Sequence, residues 1–485
     1  MFLNTPFIPR VSPVWAAAFL ALALGGCAIG PIYQHPTAPD VSSFKEAKGW
    51  IPAAPADALE RGPWWQLFGD PVLDQLAARV QVSNQNVASA VASYAQARAL
   101  VRQQQASLFP TVSLNGGANR SGSGSGSGSG NASRTSGGVG NTFQVGIGAS
   151  WEPDVWGRLG HAVTSASASA QASAADLASA TLSAQGELAI NYLSLRQTDA
   201  QKALLDDTIA AYQRALDITQ NRYQAGIVAK TDLLQAQTQL INTQSTAAGL
   251  LRQRAQFEHA IAVLVGEAPG NFSLPITAWN PVVPEVPVGL PSTLLQRRPD
   301  IAAAERRVAA ANEQIGIAKS AYYPNLPLSA SYGFGASQVA GLFSAANSVW
   351  AIGMSATQLL FNAGATGAQV EGSEAAYAQT VAQYRQTVLT AFQNVEDQLA
   401  ATRVLLTQQG LLRQASQAAD QVEQQLLNQY RSGQVSYSNV ITAQASALNA
   451  RSALVQSMAD RQTTAVALIQ SLGGGWQATT STPNR

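Results

Sequence analysis

Few residues of this chain could do chemistry. Its 485 residues include one cysteine and three histidines, and His35, His161 and His259 stand far apart. No cluster with metal-ligand spacing and no thiol pair can be assembled from that set. Paired carboxylates placed for acid–base work are missing too, so no catalytic residue, no cofactor and no metal is expected. Charged residues make up 12% of the chain, about half the usual ~25%. Lys and Arg number 29 against 28 Asp and Glu, which leaves no electrostatic case for nucleic acid. What remains is covalent modification of Cys27 and a handful of polar residues at two matched places: Arg222, Gly226, Lys230 and Asp232 at one, Arg431, Gly433 and Asn439 at the other.

Cys27 closes a segment that starts with Arg10 and runs through apolar Val14–Leu24 to Gly25-Gly26. A basic start, a short apolar core and small residues at the end describe an export signal over residues 1–26. The apolar run is too short for a permanent span, which needs ~20 residues. Leu24-Gly25-Gly26-Cys27 resembles the lipobox of bacterial lipoproteins, whose cysteine is acylated and becomes the first residue of the mature chain. An incidental cysteine after an ordinary signal is the alternative. Ala28, by the same resemblance, permits transport onward to the outer membrane. Six prolines between Pro31 and Pro63 suit an extended tether over residues 27–63.

The matched places belong to a longer pattern. NRYQAGIVAKTDLLQAQ at 221–237 and NQYRSGQVSYSNVITAQ at 428–444 share six positions without a gap, at an offset of 428 − 221 = 207. The same offset pairs Gly157 with Gly364, Gly160 with Gly367 and Arg196 with Arg403. An offset held this long points to an internal duplication, with repeats at 64–268 and 292–476, a Pro-rich linker at 269–291 and a polar tail at 477–485. In each repeat a glycine interrupts long Pro-free, Ala- and Gln-rich sequence, as the tip of a helical hairpin would. The first arm is predicted over about 162–224 and its return over 229–265; two more arms flank Gly433. Another helix is predicted from Val72 to about Leu108, with Leu73, Leu76 and Val80 on one stripe and Asp70-Pro71 at its start. Pro299 and Asp300 suit a further helix start, with Arg297 and Arg298 in structural roles.

Between the helices lie period-2 stretches. Strands are expected at about 111–118 and 143–151, and at about 326–334 and 349–360. Phe143, Val145, Ile147, Ala149 and Trp151 share one face, with Gln144, Gly146, Gly148 and Ser150 on the other. Leu326, Leu328, Ala330, Tyr332 and Phe334, then Trp350, Ile352, Met354 and Ala356, repeat the theme. The Ser-Gly run at 121–130 has no Lys-Ser/Thr ending and reads as a flexible loop. If the apolar faces meet lipid, the sheet must close, because open edges cannot be satisfied in hydrocarbon. Membrane barrels begin at about eight strands, so four per chain require further copies: two give eight, three give twelve. A soluble sheet at one end of a helical bundle is the alternative. Trp151 and Trp350 on the apolar face suit a membrane-interface belt, whereas Trp64, Trp65 and Trp476 suit a core.

WWQLFGDPVLDQL at 64–76, WEPDVWGR at 151–158, the first tip, LLQRRPDI at 294–301 with Glu305, Ile315-Gly316-Ile317-Ala318, Tyr323-Pro324 and LGGGW at 472–476 together resemble the TolC/OprM-like outer-membrane factors, and most of all their lipoprotein (NodT-type) branch. The resemblance covers nearly the whole chain. It implies a mixed α+β membrane protein: a homotrimer with a twelve-stranded outer-membrane β-barrel continuing into a long periplasmic α-helical barrel. It implies the exit duct of a tripartite efflux pump exporting small molecules such as drugs, served by a periplasmic adaptor and an inner-membrane pump of RND type. The tips at Gly226 and Gly433 would form the gate and the adaptor-docking end. The family carries a carboxylate six residues after the tip glycine; Asp232 matches it, while the second tip has Asn439, with Thr442 and Val435 where TolC has a further aspartate and an arginine. Leu233, Leu234, Val440 and Ile441 are expected to pack helices rather than plug a channel. A protein-secretion duct, a lipid-anchored coiled-coil adhesin and, less well matched, an enzyme are the rival readings.

Overall fold

The computed structural model describes residues 29–37, 43–46, 63–122, 139–286 and 298–474. The signal 1–26, Cys27, most of the tether, Arg297, Trp476 and the tail therefore lie outside the described residues. The chain divides into two compact units: residues 1–36, 96–171 and 306–382 form one, and 37–95, 172–305 and 383–485 the other.

The first unit holds the sheet. Strands β1 (Thr111–Gly122), β2 (Val139–Trp151), β3 (Leu328–Ala336) and β4 (Ser348–Met354) pair antiparallel in sequence order, leaving β1 and β4 as open edges. Register partners share a face in such a ladder, and the register sorts the residues cleanly. One face carries Val112, Leu114, Val145, Ile147, Tyr332, Phe334, Trp350, Ile352 and Met354; the other carries Ser113, Asn115, Gln144, Gly146, Ser331, Gly333 and Gly353. The apolar face is not covered: Leu114, Ile147, Tyr332, Trp350 and Ile352 are all more than half exposed. On the polar face, a Cβ at Gly333 would lie 2.6 Å from the Val145 carbonyl oxygen, so only glycine allows the backbones to approach this closely.

The strands differ from expectation at their ends. β1 runs four residues further, β2 begins at Val139, and β3 is shifted to 328–336. β4 stops at Met354 rather than 360, because Pro324 and Pro327 in the facing segment interrupt the ladder. Beyond Met354, Ser355 N donates to the Pro327 carbonyl at 3.1 Å, and an isolated bridge follows in which Asn325 and Thr357 exchange backbone bonds of 3.0 and 3.1 Å.

The second unit is helical. The region predicted as one helix from Val72 is two: α1 (Pro71–Ser83) and α2 (Gln85–Ala106). Asn84 breaks it by taking an extended backbone (φ −70°, ψ 125°) and accepting on Oδ1 from Asn86 N and Val87 N at 2.9 and 3.1 Å. Asp70 caps α1, as its position beside Pro71 suggested, accepting from Val72 N and Leu73 N at 2.9 and 3.2 Å. Leu73, Leu76 and Val80 are buried, as are Trp64, Trp65 and Phe68 of a 3₁₀ turn.

The long arms are α3 (Arg158–Gln224), α4 (Lys230–Leu264), α6 (Ala365–Arg431) and α7 (Tyr437–Ser471), with α5 (Pro299–Ser320) before β3. α3 and α6 have 67 residues each, α4 and α7 have 35, and the bounds differ by one offset (365 − 158 and 471 − 264 both give 207). α3 begins four residues earlier than expected. Asp154 takes its first amides, accepting from Leu159 N at 2.9 Å and Gly160 N at 2.6 Å. No helix among the described residues is long and apolar enough to cross a membrane.

A buried polar network ties α3 and α4 to the extended chain after α4. Arg196 donates to the Tyr192 hydroxyl (3.0 Å), to Asp199 (3.3 Å) and to the Pro275 carbonyl (2.8 Å). Arg254 donates to Asp199 (2.7 Å) and the Leu274 carbonyl (2.6 Å). Asp199 is only 3% exposed but holds two guanidiniums, which is what makes a buried carboxylate tolerable. Burial, and then donation to Asp70 at 2.6 Å, pushes the Tyr192 phenol above its ordinary pKa.

Candidate gate at the helix tips and the two-faced sheet

The tips turn by the same backbone device. α3 ends with Gly226 N donating to Tyr223 O (2.9 Å) and Ile227 N to Arg222 O (2.8 Å); α6 ends with Gly433 N to Tyr430 O (3.0 Å) and Gln434 N to Gln429 O (2.9 Å). This is the paired C-terminal lock that needs a left-handed residue after the helix. Gly226 and Gly433 supply it, at φ 73° and 78°.

The side chains are not equivalent. Arg222 reaches from the last turn of α3 to the last turn of α6, donating from Nη1 to the Tyr430 carbonyl at 2.6 Å. Its guanidinium also lies 4.7 Å from the Tyr430 ring centroid. A cation is favourable at a helix C-terminus, where carbonyls lack partners. Tyr430 is buried beneath it: its hydroxyl lies 3.3 Å from Thr219 Oγ1 and its ring 5.1 Å from that of Tyr437. Tyr430, Tyr437, Val440 and Ala236 form one buried cluster with Leu216, Ile218, Leu427, Val435 and Ile441 packed on it. Burial, with the neighbouring Tyr430 second, raises the Tyr437 pKa.

Lys230, Arg431 and Asn439 are exposed, and Asp232 is half-buried. Asn439 and Thr442 border an open groove of 360 Å³ between α6 and α7, with Val422 and Leu426 across from them. Of the expected packing residues, Val440 is fully buried and Ile441 joins the cluster, whereas Leu234 is 49% exposed. Sequence reasoning treated Arg222 as one tip charge among several, read Tyr430 only as a repeated position matching Tyr223, and overlooked Thr219 and Tyr437. The available signal was asymmetry at the offset: Arg222 matches Gln429, and Lys230 matches Tyr437.

In the sheet, Trp151 and Trp350 both lie on the apolar face. Trp151 ends β2 opposite Leu328 and donates its ring N–H to the Leu108 carbonyl at 2.9 Å; Trp350 stands opposite Tyr332 and is 71% exposed. Nearby, Trp156 stacks on Tyr323 at 4.9 Å and donates to the Pro324 carbonyl at 2.8 Å. The chain just after Cys27 docks here: Ile29 N donates to the Trp156 carbonyl (3.2 Å), and Asn312 Nδ2 to the Pro31 carbonyl (3.0 Å).

This sheet and these long helical hairpins make up a fold shared with solved outer-membrane channels. The fold matches the solved outer-membrane channel OprN with a TM-score of 0.84 at 27% identity, covering 93% of this chain and 100% of that one. The chain belongs to the outer membrane efflux protein family, whose sequence profile matches residues 76–267 and 290–474. It is 31% identical over 472 residues to the probable efflux pump outer membrane protein TtgC of Pseudomonas putida, with 96% of each chain covered. It is 32% identical over 466 residues to the pyoverdine export outer membrane protein OpmQ of Pseudomonas aeruginosa, covering 94% of this chain and 96% of that one.

Proposed function

We propose that this protein is the outer-membrane exit duct of a tripartite efflux system for small molecules. The observation that carries this reading is the sheet: a strand ladder with one uncovered apolar face, one polar face and two open edges. Hydrocarbon accepts the first face, water the second, and only further strands satisfy the edges. Three copies make twelve strands, closed around a wet passage, with the long helices forming its periplasmic part as two hairpin repeats per chain. A small inner face fits the Gly-rich polar side, and Trp151 and Trp350 contribute to the interfacial belts.

Cys27 is the acylation site. Ile29, two residues on, is tied to Trp156 beside the sheet, and two residues span ~7 Å, so an acyl chain at Cys27 enters the membrane next to the strands. The tips at Gly226 and Gly433 form the gate and the adaptor-docking end; Arg222 latches one tip to the other, while Lys230, Asp232, Arg431 and Asn439 offer polar contacts. The periplasmic adaptor and an inner-membrane pump of RND type supply coupling and energy, and the duct performs no catalysis.

Cells lacking this protein are expected to accumulate several-fold more of a fluorescent pump substrate than cells with it. Restoring the full-length chain should reverse this, and unchanged accumulation across all substrates of the cognate pump would refute the duct reading.

A further inference from the structure

The two faces of the sheet are unequal in charge as well as polarity. Every described residue on the polar face is Thr, Ser, Asn, Gln, Gly, Ala or Val: 111, 113, 115, 117, 119 and 121 on β1 face 150 to 140 on β2, and these continue through Ser329, Ser331, Gly333 and Gly335 to Val349, Ala351 and Gly353. No ionisable side chain is among them. The one charge in the strands, Arg120, pairs with Asn141 and so lies on the apolar face near the end of β1. The carboxylates at the base are already engaged: Glu152 pairs with Arg158 at 2.8 Å, and Asp154 caps α3. Between Lys319 and Glu371, a stretch that includes β3, β4 and their connection, there is no charged residue at all. Chance is a poor account, since helices α3 to α7 carry all the usual ionisable types.

We infer that the membrane section of the duct is an uncharged passage, lined by hydroxyl, amide and bare backbone groups, that does not sort its cargo by sign of charge. Its cargo is then a class defined by size and hydrogen bonding, taking in anions, cations and neutral amphiphiles alike. Fixed charge of one sign on the low-dielectric wall of a wet passage would focus potential and favour one sign of cargo. Any preference for charge must arise elsewhere along the path. This inference rests on the polar face being the lumen.

The test is the rate at which a cysteine placed on that face reacts with methanethiosulfonates of opposite charge. Ser331→Cys and Asn115→Cys, each in the full-length chain, are treated on intact cells with the trimethylammonium and the sulfonate reagent. Rates are normalised to Ser344→Cys, an exposed residue in the β3–β4 connection, and the wild type reports any reaction of Cys27. The normalised cation-to-anion rate ratio is expected to stay within about threefold of unity. A bias of about tenfold, equivalent to ~1.4 kcal/mol, would overturn the uncharged passage while leaving the duct intact. If neither thiol reacts with either reagent while Ser344→Cys does, the polar face is not a lumen and the duct reading itself fails. Ala330→Cys, one residue along but on the apolar face, should resist both reagents.

Discussion

Replacing Arg222 with alanine is expected to raise the open probability of the reconstituted channel roughly thirty- to several-hundredfold. The side chain donates to the Tyr430 carbonyl at 2.6 Å and lies over the Tyr430 ring. A hydrogen bond from a charged donor contributes ~1.5–3 kcal/mol and the ring contact ~0.5–1 kcal/mol. Both belong to the state in which the ends of α3 and α6 are held together, so their loss shifts the balance toward separated tips, at tenfold per ~1.4 kcal/mol. Arg222→Lys keeps the charge without the planar fork and should fall between the two. Single-channel recording reads the effect, and cells should become sensitive to a large antibiotic that intact outer membranes exclude. The α3 helix loses no intrahelical bond in either variant, so helical content should not change. An open probability equal to wild type would show that Arg222 is no latch.

Putting a lysine on the apolar face has the larger structural effect. Ile147 is more than half exposed on that face, with Leu114 on one side and Tyr332 on the other. A lysine near the middle of a lipid-facing strand costs ~2–4 kcal/mol, and three copies place the total on the order of 6–12 kcal/mol, comparable to the whole stability of a domain. Ile147→Lys is expected to remove the protein from the outer membrane. Asn115→Lys, on the neighbouring strand but the polar face, should insert normally, because its charge meets water. Equal yields of both variants in outer-membrane fractions would contradict the assignment of the faces.

Much of this was legible in the residues. The period-2 alternation of Phe143 to Trp151 determines which side chains share a face whatever the partner strands are, so the division into apolar and polar faces could be read early. The offset of 207 transferred helix bounds from one repeat to the other, because the same Gly, Ala and Gln spacing folds the same way twice. Strand ends were harder. Nothing in Ser355–Leu360 forbids a strand; what ends β4 is Pro324 and Pro327 in the segment it would pair with, a non-local cause. Asn84 was ambiguous, since asparagine is tolerated within helices and also caps them, and its bond to the Leu264 carbonyl across 180 residues tips the choice.

The tip cluster shows the limit most plainly. Tyr223 and Tyr430 match at the offset, yet Tyr223 is 38% exposed and Tyr430 only 3%. The duplicated segments place a tyrosine at both positions, and packing against Tyr437 and Arg222 buries only the second. Asp232 and Asn439, matched in position, also differ: the first is half-buried and the second exposed. Cys27, the clearest chemical expectation of all, lies outside the described residues and depends on the docking of Ile29 for its structural support.

The most direct measurement is the native mass of the protein extracted from outer membranes in mild detergent, before and after boiling. Each chain has a mass of 50.6 kDa. The account predicts a particle of three chains that falls to one on heating, since twelve strands close a barrel and four leave two edges open. A stable monomer before heating would contradict it, because a lone four-stranded sheet with an uncovered apolar face cannot line a passage through a membrane.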